Sequence, residues 1–365
     1  MTKKLFVVAA VAGLIISLAG PILAHDEKKS GGKIERSMTV DPQAIITLCV
    51  ASGVLNVRGW DKNEVHVRSA DAAQIDFRRI DKIKDSPRPA ARIDVMVFDK
   101  SGASNPKLDC QALADVDMDV PAGATVQVQT RDGDITIAGV SGAYAGSQNG
   151  DITIERATKL VEAGSVGGSI YLRDSSGRIS LSSAGGGVEV VNVRPATEED
   201  TFEVGTVSGD IHLDRVSNPK VMAKTVNGAV MMTGPLAKKG YYGFTNVTGD
   251  VVLALPHDSS FQLNAKVSEK HDIVSDFKLT YLSEPPPPPN AKPRSPEAKP
   301  NKTPAPAAKG QPPQPPEKTG PVVGPIIVGK PTAVYALRRI NAIYGSGDAT
   351  ISIATFGGSI RIKKI

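Results

Sequence analysis

The amino-acid sequence predicts an all-β fold, a single β-solenoid of repeated rungs of about 17–23 residues that a proline-rich insertion interrupts. Three observations lead to this prediction. Glycines recur at a nearly fixed spacing, apolar pairs stand at the same offsets on both sides of each glycine, and aromatic residues make up only 4% of the 365-residue chain. A chain so poor in aromatic side chains suits a thin, repetitive β core.

Each rung is centred on one glycine, which we interpret as the corner between two strands. The predicted corners are Gly53, Gly133, Gly150, Gly168, Gly209, Gly228, Gly249 and Gly358. Apolar residues stand seven and five positions before each corner and two and four positions after it, as do Ile135 and Ile137 after Gly133. Residues two apart share one face of a strand. The two pairs differ in parity, so the chain must change face at the glycine, which reaches positive φ without steric cost.

Polar residues flank these corners. A Ser, Thr or Asn lies three positions before most of the glycines, and we expect its side chain to hydrogen-bond the backbone at the bend. An Asp often follows the glycine, so Asp134 and Asp151 would stack about 5 Å apart in successive rungs. Their carboxylates would either hydrogen-bond the turn or bind calcium, which prefers several oxygen ligands. The nonapeptide calcium repeat with its double glycine is absent from the sequence, which favours the turn.

Composition divides the chain into four segments. Residues 1–24 are predicted to be a signal peptide, with Lys3 and Lys4 before an apolar run, and an uncleaved membrane anchor is the alternative. Residues 25–284 form the predicted β-solenoid domain. Residues 285–331 hold 17 of the 27 prolines and are predicted to be a disordered linker, either a spacer or a ligand for a partner. Residues 332–365 return to the rung pattern and are expected to complete the same solenoid.

The distribution of charge argues against a nucleic-acid partner. The formal net charge is +5, but Lys3, Lys4 and residues 285–330 together carry more than this excess, so the remainder is slightly negative. A nucleic-acid-binding domain concentrates positive charge on its folded surface. We therefore expect no binding to nucleic acid.

Three stretches depart from the regular pattern. Residues 71–84 fit either a short helix or a strand. A half-length copy of the motif is predicted at Gly177, so that one coil would be built differently from the others. After the proline-rich segment, the motif is predicted to return at Gly347 and again at Gly358.

The residues with reactive side chains do not form a recognisable active site. Cys49 and Cys110 are the structural disulfide candidate in a chain bound for an oxidising compartment, and two free buried thiols are the alternative. The five histidines lack metal-ligand spacing, and the serines lack the context of a nucleophile elbow. We therefore expect no cofactor and no enzymatic activity. A polysaccharide-active enzyme, which needs clustered acidic residues, is a less favoured alternative.

Several motifs together resemble a known family. The entry Gly53–Trp60, the Thr-x-x-Gly-Asp-Ile-x-Ile rungs, and Leu255-Pro256 followed by Ser275-Asp276-Phe277 are similar to the bacterial putative-adhesin domain family, described as a toast-rack β-solenoid. The resemblance covers roughly residues 33–283 and 333–365. It implies an exported, non-enzymatic envelope domain, and it supplies no catalytic residues.

These observations favour an exported interaction scaffold in the periplasm, on the cell surface or outside the cell. Its outward strand residues would bind an envelope protein or a glycan in the manner of an adhesin. The rival hypothesis is an envelope-stress or signalling accessory domain that recognises a membrane-protein partner.

Overall fold

The computed structural model describes residues 33–80, 88–100, 110–268, 270–282 and 337–365, and the regular elements within them are β-strands. The all-β prediction is thereby confirmed. The predicted signal peptide and the proline-rich segment 285–331 lie outside the described residues. In the ambiguous stretch 71–84, the described part forms a strand from Ala72 to Arg79.

The strands are numbered in chain order. Their bounds are β1 Ile34–Ser52, β2 Leu55–Trp60, β3 Glu64–Ser69, β4 Ala72–Arg79, β5 Ala90–Asp99, β6 Val116–Pro121, β7 Thr125–Asp132, β8 Ile135–Ala138, β9 Gly142–Asn149, β10 Ile152–Glu155, β11 Leu160–Ser165, β12 Ile170–Arg173, β13 Arg178–Ser183, β14 Val188–Val193, β15 Thr201–Ser208, β16 Ile211–Val216, β17 Lys220–Asn227, β18 Val230–Thr233, β19 Tyr241–Thr248, β20 Val251–Leu255, β21 Phe261–Ser268, β22 Ile273–Ser275, β23 Thr280–Tyr281, β24 Leu337–Tyr344, β25 Ala349–Gly357 and β26 Ile360–Lys364.

Each coil contributes one strand to each of two sheets. Sheet 1 holds strands that precede the corner glycines and runs β5, β1, β7, β9, β11, β13, β15, β17, β19, β25, β21. Sheet 2 holds strands that follow them and runs β6, β2, β8, β10, β12, β14, β16, β18, β20, β26, β22. Neighbours in these runs are parallel, so equivalent residues of successive coils stack. The prediction of a β-solenoid is confirmed.

The inward side chains of both sheets belong to one hydrophobic cluster. The apolar pairs predicted around the corner glycines fill it, and Ile152 and Ile154, for example, have no exposed surface. Burial of each such side chain contributes about 1.5–3 kcal/mol. Because a single coil cannot bury its own pairs, this stabilisation depends on the stacking of neighbours.

The corner glycines stack directly on one another. A β-carbon added to Gly150 would lie closer than 3.0 Å to the carbonyl oxygen of Gly133, and the other predicted corners meet the glycine of the neighbouring coil in the same way, except Gly53, which meets the carbonyl group of Ala114. Gly53, Gly133, Gly228 and Gly249 have positive φ, whereas Gly150 is among those that do not. The requirement that all of them share is therefore the close approach of two backbones. This close approach, and not the positive φ expected from the change of face, explains why glycine stands at every corner.

The coil that follows Gly168 is regular, so the prediction of a half-length copy at Gly177 is wrong. β13 pairs with β11 and β15, and β14 pairs with β12 and β16, as in any other coil. The corner of this coil is Gly186, which approaches the carbonyl group of Gly168. Gly177 lies instead at the bend that leads into β13, with a φ of 106°. Gly186 has a glycine on each side, which hid the corner in the sequence.

The last two strands of the chain form a coil that lies between two earlier ones. β25 lies between β19 and β21, and β26 lies between β20 and β22. Their inward residues are at most 1% exposed; these residues are Ile351, Ile353, Ile360 and Ile362. The first coil is placed in the same way at the other end, because β1 and β2 lie between β5–β6 and β7–β8.

Antiparallel strands complete both ends of the solenoid. β4 pairs with β5, and β3 pairs with β6 and the first part of β1. At the other end β24 pairs with β21, and β23 pairs with β24. The prediction of a rung at Gly347 is therefore wrong, since β24 runs against its neighbour and Gly347 lies in the turn to β25. Phe277 packs edge-on against Phe261 and Tyr344 at this end, with ring centroids 5.3 and 4.8 Å away.

Candidate functional site

The two calcium candidates lie at successive corners, as the sequence predicts. An oxygen of Asp134 accepts a hydrogen bond from the backbone N–H of Asp151 at 2.9 Å, and Asp151 accepts one from Ser169 at 2.7 Å. Asp210 and Asp250 accept equivalent bonds from the next coil in space. Each carboxylate therefore ties one coil to the next. Within the described ranges, no group of three or more His, Cys, Asp or Glu side chains is placed to hold a metal ion.

The polar residues three positions before the corners make a second ladder. The hydroxyl of Ser147 donates to the carbonyl oxygen of Gly133 at 3.2 Å, and that of Thr225 donates to Gly209 at 3.1 Å. Both side chains are buried. Hydroxyl groups thus satisfy the carbonyl groups of most of the stacked glycines, which is the role in the bend that their position suggested. Thr130 is an exception, because its buried hydroxyl has no hydrogen-bond partner among the described residues.

Cys49 and Cys110 are joined by a disulfide, and their Cα atoms are 4.7 Å apart. Cys49 lies on the outer side of sheet 1, and Cys110 begins the described segment that leads to β6. The same segment is held by a hydrogen bond from the backbone N–H of Leu113 to the carboxylate of Asp99 at 3.2 Å. The disulfide therefore links β1, in the first coil of the chain, to the loop that leads into β6, in the outermost coil.

Polar and aromatic side chains gather on the outer face of sheet 2 at its β6 end. Leu55 and Val57 of β2 point into the core, so Arg58 and Trp60 of the same strand point outward. The neighbouring strands β6 and β3 add the outward residues Asp117, Asp119, His66 and Arg68. We call these six side chains the Trp60 patch.

Ion pairs hold the charged members of the Trp60 patch in place. The carboxylate of Asp119 lies 3.2 Å from Arg58 and 2.8 Å from Arg68. Asp117 accepts hydrogen bonds from Asn56 at 3.2 Å and from Lys33 at 3.4 Å. Partial burial raises the pKa of Asp117, but these hydrogen bonds and the charges of Lys33 and Arg68 together lower the pKa below its ordinary value. The carboxylate is therefore ionised at neutral pH.

Trp60 is the only tryptophan of the chain, and its indole is fixed by its neighbours. The indole N–H donates to the carbonyl oxygen of Glu64 at 2.8 Å. The ring of His66 meets the indole edge-on at 6.1 Å, and the ammonium of Lys62 lies 4.7 Å from the ring centroid. The Nε2 atom of His66 is buried and has no hydrogen-bond partner among the residues that the structure describes, and the carboxylate of Glu35 lies 3.6 Å from it. The patch thus combines a positioned aromatic ring with groups that can donate and accept hydrogen bonds.

Sequence reasoning singled out Trp60 only as part of a motif and did not find the other members of the patch. The strands that carry them are separated by up to 61 positions in the chain. Alternation along β2, β3 and β6 could have placed these side chains outside the core, but not beside one another. Their meeting depends on β6 and β2 being neighbours in space.

A different surface lies on the outer face of sheet 1, beside the corners. In six successive coils in space, the residue two positions before the corner glycine is apolar and is exposed or half-buried. We call these six residues the valine stripe: Val166, Ala184, Val207, Val226, Val247 and Phe356. Pairing of the strands places these residues one above the other. The stripe is therefore continuous along the solenoid.

Within the described part of the chain, no helix is long and apolar enough to cross a membrane. Comparison with known proteins gives a family match. The model described as Toastrack DUF4097 matches residues 25–280. Among curated proteins, none matches the sequence significantly.

Solved structures of three bacterial proteins are similar at low sequence identity. A putative adhesin from Parabacteroides merdae is 10% identical, with a TM-score of 0.36 over 62% of this chain and 90% of that one. A putative adhesin from Bacteroides fragilis is 12% identical, with a TM-score of 0.31 over 92% and 98%. A putative cell adhesion protein from Clostridium sporogenes is 10% identical, with a TM-score of 0.23 over 92% and 100%.

Proposed function

Because this chain belongs to the Toastrack DUF4097 family, we propose that it is an exported, non-enzymatic scaffold of the cell envelope that binds a glycan or a protein there, in the manner of an adhesin. Three features support the proposal. The solenoid presents two outer faces on a closely stacked backbone, a disulfide joins its two cysteines, and the Trp60 patch has the composition of a binding surface. Disulfides persist in oxidising compartments, which fits export.

The Trp60 patch is the observation that carries the proposal. Tryptophan and arginine are enriched among the residues that dominate binding energy at interfaces. In the patch the indole of Trp60 is held by its bond to Glu64, and Arg58 is held by Asp119, so little conformational entropy is lost when a partner binds. An aromatic ring beside fixed hydrogen-bonding groups suits the apolar and polar faces of a sugar ring, and it also suits a protein surface.

Binding to purified envelope polysaccharides and to detergent-solubilised envelope proteins tests the proposal. Replacement of Trp60 by Ala should weaken the binding of the preferred partner by about ten-fold or more, as is typical of a central aromatic residue. The matched control is Tyr171→Ala, because Tyr171 is also a half-buried aromatic residue on the outer face of sheet 2, but it lies outside the patch. That variant should bind normally.

Two outcomes would contradict the proposal. If the Trp60→Ala and Tyr171→Ala variants bind the envelope equally well, the patch is not the binding surface. If neither polysaccharides nor envelope proteins bind the wild-type chain, the scaffold function itself is wrong. Repeating the capture without residues 285–331 separates the contribution of the proline-rich segment. A single membrane protein captured only with that segment would favour the signalling role.

A further inference from the structure

The valine stripe is a continuous apolar feature on the outer face of sheet 1. Its first three members lie next to small residues, because Gly164, Ser182 and Gly205 stand two positions before Val166, Ala184 and Val207. Val166 is 49% exposed, and Tyr241 on the same face is 40% exposed. With strands about 4.8 Å apart, the stripe extends for about 24 Å. A continuous apolar line of one exposed and five half-buried residues fits a surface that contacts another protein.

The charged residues around the stripe lack partners within the chain. Glu162 and Glu203 lie on β11 and β15, Arg178 lies between them on β13, and Lys220 and Lys224 lie on β17. In the described part of the structure, none of these five side chains forms an ion pair or a side-chain hydrogen bond. On the outer face of sheet 2, by contrast, Arg173 pairs with Glu189 at 3.0 Å. The face of sheet 1 therefore carries charges that remain available to a partner.

The arrangement of the stripe is symmetric about a line between β15 and β17. Three members lie on one side of this line and three on the other, in the order Val166, Ala184, Val207 and then Val226, Val247, Phe356. Glu162 and Glu203 lie on the first side together with Arg178 of β13, and the basic residues of β17 lie on the second. A two-fold rotation about this line places β15 of one copy against β17 of the other, so Glu203 of each copy would face the basic residues of β17.

We propose that a second copy of this chain binds here, so that two solenoids pack with sheet 1 against sheet 1 about this two-fold axis. Val207 of each copy then lies opposite Val226 of the other, and Val166 lies opposite Phe356. Glu203 of each copy lies between Lys220 and Lys224 of the other. This is an isologous interface, the commonest kind among homodimers.

The available area fits a stable dimer. Six strands about 4.8 Å apart and about seven residues long, at about 3.3 Å per residue, present roughly 700 Å² on each copy. Stable interfaces bury about 800 Å² on each partner. The sheets would pack face to face about 10 Å apart, which long Glu and Lys side chains can bridge. This inference does not depend on the envelope-binding proposal, because it concerns the opposite sheet.

Sedimentation velocity of the full chain over a wide range of concentrations provides the first test. The wild type should dimerise, and Val226→Lys should raise the dimer dissociation constant by about ten-fold or more, because it places an unpaired charge in the apolar centre of the interface. Val252→Lys is the matched control, since Val252 is a half-buried valine on the outer face of sheet 2. It should leave the dissociation constant unchanged. Thermal melts of each variant verify that the monomer is folded.

Charge exchange provides a second test that does not depend on the stripe. Glu203→Lys and Lys224→Glu should each weaken the dimer by about ten-fold, because each places like charges opposite one another. The double variant should bind more tightly than either single variant, since one pair is restored with reversed signs while Lys220 stays unchanged. A wild type that stays monomeric at all concentrations overturns the proposal. So does a dimer that Val226→Lys leaves intact, or that Val252→Lys disrupts equally.

Discussion

The backbones of Gly133 and Gly150 lie so close together that a β-carbon built on Gly150 would fall within 3.0 Å of the carbonyl oxygen of Gly133. The clash would be with backbone, which cannot rotate away. The hydroxyl of Ser147 bonds the same carbonyl oxygen at 3.2 Å. The corner glycines of successive coils therefore form a column of closely packed backbones with hydroxyl or amide groups beside it. This column sets the spacing of the coils.

We expect Gly150→Ala to lower the free energy of unfolding by at least about 2 kcal/mol, because the added methyl group must push two coils apart. Gly164→Ala is the matched control. Gly164 faces outward in β11, and the nearest atom to a β-carbon there would be the hydroxyl oxygen of Ser182 at 3.4 Å, an ordinary contact. Urea unfolding of both variants provides the measurement. Equal stability of the two would show that the glycine column is not tightly packed.

The second bend of each coil has a different chemistry. Six positions after the corner, the chain adopts left-handed φ in successive coils, although most of the residues there are not glycine. They are Gly139, Arg156, Asp174, Asn192, Arg215 and Gly234. A left-handed conformation costs an L-residue roughly 1–2 kcal/mol, least for Asn and Asp. The arginines therefore carry the largest strain.

Arg156→Gly should raise the free energy of unfolding by up to about 1 kcal/mol, because glycine adopts the φ of 54° without this cost. The ion pair that is lost, with Glu155 at 2.9 Å, is exposed and contributes little. Arg131→Gly is the control. Arg131 is an exposed strand residue without positive φ, so the same change there should be destabilising. Differential scanning calorimetry compares them, and a lower melting temperature for Arg156→Gly would contradict the prediction.

Acid should weaken the β6 end of the solenoid through Asp117. The pKa of Asp117 is lowered below 3.8, mainly by hydrogen bonds from Asn56 and Lys33 that outweigh its partial burial. A depressed folded pKa means that the carboxylate stabilises the fold above pH 3.8 and that this contribution is lost as the pH falls through the lower folded pKa.

The unfolding free energy of Asp117→Asn should therefore change less than that of the wild type as the pH falls from neutral to about 3. Asp258→Asn is the control, because the carboxylate of Asp258 forms no ion pair in the described part of the chain. That variant should follow the wild-type pH dependence. An unchanged acid profile for Asp117→Asn would show that its ion pairs do not contribute to stability.

The core could be predicted from the sequence because it depends on local parity. The offsets of Ile152 and Ile154 from Gly150 were enough to place both in the interior, since a strand alternates its faces regardless of its neighbours. The second bend could not be predicted, because a left-handed Arg156 leaves no glycine in the sequence. Gly186 was hidden for the opposite reason, by glycines on both sides.

The order of coils at the two ends also lay beyond sequence reasoning. A repeat identifies strands that belong to a solenoid, but it does not give their order in space. β25 and β26 carry the same inward pattern as any other coil, and nothing in that pattern places them before β21 and β22. At the other end, too, the order of coils in space differs from their order in the chain, because β2 lies between β6 and β8. The Trp60 patch depends on this order, which brings Asp119 of β6 beside Arg58 of β2.

The position of the last coil predicts an asymmetry between two deletions. Removal of residues 349–365 should destabilise the chain strongly, because β19 and β20 lose their neighbours and β21 and β22 lose the strands that join them to the solenoid. Four buried isoleucines are lost with it, at about 1.5–3 kcal/mol each. The melting temperature should fall clearly, and binding of a hydrophobic dye should increase.

Replacement of residues 285–331 by a short flexible linker is the matched deletion. The backbone N–H of Leu282 donates to the carbonyl oxygen of Asn341 at 2.8 Å, so the strands on either side of the segment already lie side by side. A short linker can therefore join them without strain. Each halving of loop length changes the closure cost by only about 0.6 kcal/mol, so the melting temperature should stay the same or rise slightly. Equal effects of the two deletions would mean that the last coil does not contribute to the stability of the solenoid.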